Sequence, residues 1–115
     1  MSELAVKNDS SGRFAELLAI IPKGEENAVS MRQLSDLLGF TPRHIRACIE
    51  SARREGNVIC SSDAGYYIPV NDDELRSFYH RTRARIFTSF DCLQPVVKLL
   101  KEVDSLDYES TLFPE

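Results

Sequence analysis

The stretch 41–56 constrains the fold of this chain more than any other part of it. Thr41 carries a hydroxyl that can accept from the unpaired N–H groups of a first helical turn. Pro42 follows at the first helical position, where a missing N–H costs nothing. Gly56 closes the segment. Between these ends Ile45, Ile49 and Ala52 recur at three- and four-residue spacing and so share one face. Arg43, His44, Arg46, Arg53 and Arg54 are distributed around the remainder. A helix with both ends marked and one apolar side must lie on a core with its charged side outward.

The neighbouring residues extend this pattern in both directions. Ser30 with Gln33 forms a capping box that opens an earlier helix, whose predicted buried side is Met31, Leu34, Leu37 and Leu38. Gly39 ends it, because glycine readily takes the left-handed conformation at a helix C-terminus, and Phe40 is expected to fill the inside of the turn. Beyond Gly56, residues 58–60 and 66–68 are strand-like, with a loop of Ser61, Ser62, Asp63, Ala64 and Gly65 between them. Two such strands are marginal alone and must pack on the helices. Upstream, Phe14, Leu17, Leu18 and Ile21 lie on one face of a helix over 13–21, which Pro22 and Gly24 terminate. A polar loop over 23–27 and a very short strand at Ala28 and Val29 lead back to Ser30.

The C-terminal third is different. Asn71 with Glu74, reinforced by Asp72 and Asp73, marks another helix start. The helix that follows is predicted to reach Asp104, about 50 Å at ~1.5 Å per residue, with Pro95 expected to kink or divide it. Leu75, Tyr79, Ile86, Phe90, Leu93, Val97 and Leu100 recur along it at spacings of three, four or seven. That stripe is too long for a small domain to cover, so it is assigned to self-association, with a second copy as its cover. The chain therefore divides into a polar tail (1–12), a helical domain with a hairpin (13–70), a long dimerisation helix (71–104) and an acidic tail (105–115).

Composition narrows the function classes. Of 115 residues, 43% are hydrophobic, enough for one compact core, and the net charge is −4. The acidity is uneven: residues 32–85 hold nine basic against seven acidic side chains, and the flanks hold five against eleven. No apolar run approaches the ~18 residues of a membrane span, and residues 1–12 lack the apolar centre of a leader peptide. A cytoplasmic protein is expected. Cys48, Cys60 and Cys92 form no Cys-x-x-Cys pair, so they are read as small buried or half-buried residues. His44 and His80 have no partners at metal-ligand spacing, and no nucleophile motif or phosphate-binding glycine loop is present. The reading is of a non-enzyme without metal or cofactor.

With these residues in view, the chain resembles a known family. Residues 34–41 read Leu-Ser-Asp-Leu-Leu-Gly-Phe-Thr, followed by Ile45, Ile49, Arg53 and Gly56, and then by Gly65, Tyr66, Tyr67, Ile68 and Pro69. This pattern, about a third of the chain, is similar to the winged helix-turn-helix of the biotin-repressor type and to small prophage-encoded winged-helix proteins of Gram-positive bacteria. The resemblance implies a mainly α fold with a small β-hairpin, a winged helix-turn-helix followed by a long C-terminal helix. It also implies that the first turns of the basic helix enter the major groove of double-stranded DNA. Carried onto this sequence, the contacts are Thr41, Arg43, His44, Arg46 and Ala47, with Glu50 one turn further on. Arg32 and Arg54 are placed to touch phosphate, Arg53 is read as structural, and one of Tyr66 and Tyr67 as core with the other exposed. The implied role is a dimeric regulator of transcription, or a replication accessory protein, of a phage or mobile element. The alternative is a protein–protein adaptor that keeps the fold without DNA binding; the hairpin loop, which has no lysine or arginine, favours it.

Overall fold

The computed structural model describes residues 6–8, 12 and 14–104. In chain order its elements are α1 (Ala15–Ile20), a short 3-10 turn (Glu25–Asn27), α2 (Met31–Leu38), α3 (Pro42–Arg54), β1 (Cys60–Ser62), β2 (Gly65–Tyr67) and α4 (Asp72–Asp104). The protein is mainly helical, with one small antiparallel hairpin and a long C-terminal helix. It forms two compact units, Met1–Tyr79 and His80–Glu115, so the first turns of α4 belong with the elements before them.

Local signals set the helix ends. Gln33 N–H donates to Ser30 Oγ at 3.1 Å and Ser30 N–H donates to Gln33 Oε1 at 2.9 Å, so the capping box is complete. Gly39 ends α2 at φ 71°. His44 N–H donates to Thr41 Oγ1 at 3.2 Å, with Pro42 in the first turn of α3. At the other end of α3, Gly56 N–H reaches the Arg53 carbonyl and Asn57 N–H the Ala52 carbonyl, both at 3.0 Å. These two bonds satisfy carbonyls that the helix itself leaves unpaired.

The core of the first unit gathers Phe14, Leu17, Leu18, Ile21, Leu34, Ile45, Ile49, Ala52, Ile59 and Ile68. Burying an aliphatic side chain fully stabilises by about 1.5–3 kcal/mol, and Leu34 and Ile45 are completely enclosed. Two predicted core positions are not in it. Leu37 is 66% exposed and Phe40 is 37% exposed. Met31, Leu34 and Leu38 form one line along α2, and Leu37 falls roughly a quarter-turn outside it. Phe40 lies against the His44 ring instead of inside the core, and its carbonyl accepts from the Ser35 hydroxyl.

The hairpin is displaced from its predicted position. Its register is Cys60 with Tyr67, Ser61 with Tyr66 and Ser62 with Gly65, leaving only Asp63 and Ala64 as the turn. The strands therefore do not occupy 58–60 and 66–68. Serine is neither β-branched nor aromatic, the types enriched in strands, but pairing runs through Ser61 and Ser62 because β2 is held on its other edge. There Val29 and Tyr66 exchange backbone hydrogen bonds of 3.0 and 2.7 Å. Val29 contributes only this single bridge, and Ile68 adds bonds to Pro22 and Gly24 at 2.8 Å each. The close approach needs Gly65: its φ is 128°, and a Cβ there would stand 2.2 Å from the Val29 carbonyl oxygen. Tyr67 is core, whereas Tyr66 is half-buried against the core rather than exposed.

Residues read as an N-terminal tail are in part attached. Val6 packs against the core, and the Asn8 side chain clips the backbone of Val58, accepting from its N–H at 2.7 Å and donating to its carbonyl at 3.1 Å. The other positions of 1–12, apart from Lys7 and Gly12, lie outside the described residues, as does the acidic tail over 105–115.

Helix α4 starts where Asn71 and Glu74 predict. Glu74 N–H donates to Asn71 Oδ1 at 2.8 Å. The Glu74 carboxylate accepts from Val70 N–H and from Glu25 N–H, both at 3.0 Å. The helix then runs unbroken through Pro95, which does not divide it. What the proline removes is the N–H that would have met the Asp91 carbonyl. Of the predicted stripe, Val97 is buried, Leu75, Phe90 and Leu100 are half-buried, and Tyr79, Ile86 and Leu93 are exposed. A second exposed line, Cys92, Val96, Leu99 and Val103, escapes the sequence pattern. Its 4-3-4 spacing makes it one face. Cys92 is thus exposed, against the reading of all three cysteines as buried or half-buried.

Candidate nucleic-acid interface

Helix α3 separates its two sides sharply. Ile45, Ile49 and Ala52 are at most 2% exposed. Opposite them Arg43, Ala47, Glu50 and Arg54, again spaced 4-3-4, form the outermost line, and all four are exposed. Arg46 lies on one flank of that line; His44 and Ser51 lie on the other. Arg32, on α2, is also exposed. None of the guanidinium groups of Arg32, Arg43 and Arg46 is ion-paired or hydrogen-bonded to another described residue. Each can present a planar fork of donors to a carboxylate, a phosphate or a base edge.

The remaining predicted contacts are partly committed. Thr41 Oγ1 already accepts from the His44 backbone, so the hydroxyl keeps its donor for an outside acceptor. The His44 ring packs edge-on against Phe40, centroids 4.5 Å apart at 77°. The sequence reading missed this pairing, because the aromatic belongs to the turn and the histidine to the helix. Both rings border a cavity of about 630 Å³ that Phe14, Leu38, Ala47 and Cys48 also line. His44 therefore shapes the flank of the helix as much as it offers a contact. Arg54 Nη2 donates to Ser51 Oγ at 3.4 Å.

Arg53 is structural. Its Nε donates to the Ile59 carbonyl at 2.9 Å and its guanidinium lies over the Phe78 ring at 5.4 Å. The hairpin tip offers no cation: Asp63 and Ala64 are exposed there, and Ala64 N–H turns back to Ser62 Oγ at 3.2 Å. Two arginines early in α4 also find local partners. Arg76 pairs with Asp72 at 4.0 Å and Asp73 at 3.5 Å, and Arg83 covers the Phe87 ring at 4.5 Å. Such exposed pairs contribute little to stability, but they reduce the charge offered to a partner.

Among the described residues no group of three His, Cys, Asp or Glu stands close enough to hold a metal ion. Among them, too, no helix is long and apolar enough to cross a membrane. No family model, curated protein or solved structure matches the chain.

Proposed function

We propose that this chain is a winged helix-turn-helix protein that binds double-stranded DNA sequence-specifically through the first turns of α3. One observation carries the reading: α3 buries its whole apolar side while Arg43 and Arg46 stand exposed and unpaired on the other. A helix fits the ~12 Å major groove, and arginine bonds guanine O6 and N7 in a bidentate pair. Arg32 and Arg54 would hold phosphates, which position without specifying. The exposed apolar positions of α4 support a homodimer. Two copies would set two reading helices about 34 Å apart and favour a palindromic site. The role that fits is a cytoplasmic regulator of transcription, or a replication accessory protein, of a phage or mobile element; that last element rests on the family resemblance alone.

The hairpin tip, where Asp63 is exposed and no lysine or arginine stands, supports a second reading, a protein–protein adaptor on the same fold. Titration of random duplexes at low salt separates the two, because phosphate attraction is then strongest. A DNA-binding protein should bind the pool, and Arg43→Ala with Arg46→Ala should weaken binding by about 100-fold or more with an unchanged unfolding curve. An adaptor should leave the pool unbound.

A further inference from the structure

The outermost line of α3 contains one residue that a polyanion should not welcome. Glu50 sits between Arg43 and Arg54 on that line, exposed. Arginines stand at i−4, i+3 and i+4 from it, yet the Glu50 carboxylate forms no ion pair or hydrogen bond with any described residue. The geometry explains why. Arg53 is turned inward to the Ile59 carbonyl and Arg54 to the Ser51 hydroxyl. Arg46 precedes Glu50, the weaker orientation for a pair four residues apart. An uncompensated carboxylate is thus held in the middle of the surface assigned to DNA.

Resting on that assignment, we infer that Glu50 is a specificity-determining residue that accepts a hydrogen bond from the exocyclic amino group of a cytosine and discourages binding elsewhere. A carboxylate has acceptors only. Cytosine offers N4–H₂ in the major groove without an acceptor beside it, whereas adenine sets N7 next to its amino group and would repel a carboxylate. Against phosphate, Glu50 meets like charge, so non-specific binding is weakened by the same group. Seven residues separate Glu50 from Arg43, about 10 Å along the helix, or roughly three base steps at ~3.4 Å per step. Ala47 lies between them, where a small apolar side chain suits a thymine methyl group. A guanine under Arg43 and a cytosine about three steps away is the expected order.

The test is selection from random duplex DNA with the full chain and with Glu50→Gln and Glu50→Ala. The native chain should enrich a site with cytosine at one position of each half. Glu50→Gln should change that position to adenine, whose N6 and N7 suit a glutamine amide. Glu50→Ala should relax it, with a loss of discrimination of about tenfold. Both variants should bind unrelated duplex several-fold more tightly at low salt. Unchanged base preferences in both variants, beside a native chain that selects a site, would overturn the role of Glu50 while leaving the DNA reading intact. A native chain that enriches nothing would overturn both. Because Glu50 is exposed, the variants should melt as the native chain does, and a matching melt secures the comparison.

Discussion

Helices α3 and α4 contain the same kinds of residue and treat them differently. Ile45 in α3 is fully enclosed, whereas Ile86 in α4 is 53% exposed. In α3 Ile45, Ile49 and Ala52 share one line and the core of the first unit covers it. In α4 they occupy more than one line, and among its described side chains only Val97 is buried. A helix of 13 residues can be finished by its own domain. One of 33 residues carries more apolar surface than its described surroundings cover. Helix α3 has a completed inner side and an exposed outer side, while α4 keeps apolar positions exposed from Tyr79 to Val103.

Substitutions of one residue type in both helices put this contrast at risk. The largest effect should come from Ile45→Ala, which should lower the unfolding free energy by about 3 kcal/mol; Ile86→Ala should change it by less than ~0.5 kcal/mol in dilute solution. Equal costs in denaturant titrations would erase the distinction. Next, Leu99→Glu with Val103→Glu should weaken self-association about 30-fold, or ~2 kcal/mol. Sedimentation should then show monomer where the native chain is dimeric; a native chain that is monomeric at every concentration would remove the dimer. The cap residue should matter less: Thr41→Ala should cost about 1 kcal/mol, since it leaves the His44 N–H without its acceptor. The smallest change is Thr88→Ala. Its hydroxyl only back-bonds the Ala84 carbonyl at 2.9 Å on an exposed turn, and its removal should shift melting by no more than ~0.5 kcal/mol.

What the sequence made legible follows the same division. Ser30 with Gln33, Gly39, Thr41-Pro42, and Asn71 with Glu74 are signals complete within a few residues, and each marks a helix boundary that the structure contains. The inner side of α3 was equally plain, since three aliphatic residues on one line have one way to be buried. Features that depend on distant residues were not legible. Asn8 clips Val58 across 50 positions, and Glu74 reaches the Glu25 backbone across 49. The hairpin register depends on Val29 pairing at Tyr66 and on the contact that only Gly65 permits, so β-branching alone misplaced the strands. Leu37 was read as buried because a helical period marks a broad face without its centre, and Phe40 because an aromatic after a helix-ending glycine was expected inside the turn. At the interface, residue type located the arginines; it did not foresee that His44 would pack on Phe40 or that Glu50 would be left unpaired.

The central claim is that DNA meets the protein along the outward line of α3. The most direct measurement is the change in backbone amide chemical shifts when labelled full-length chain is titrated with a selected duplex. The account predicts the largest changes at Thr41, Arg43, Arg46, Ala47 and Glu50, with the helix interior at Ile49 and Ala52 little moved. Saturable binding that leaves 41–54 unperturbed and shifts the arginines of α4 instead would contradict it.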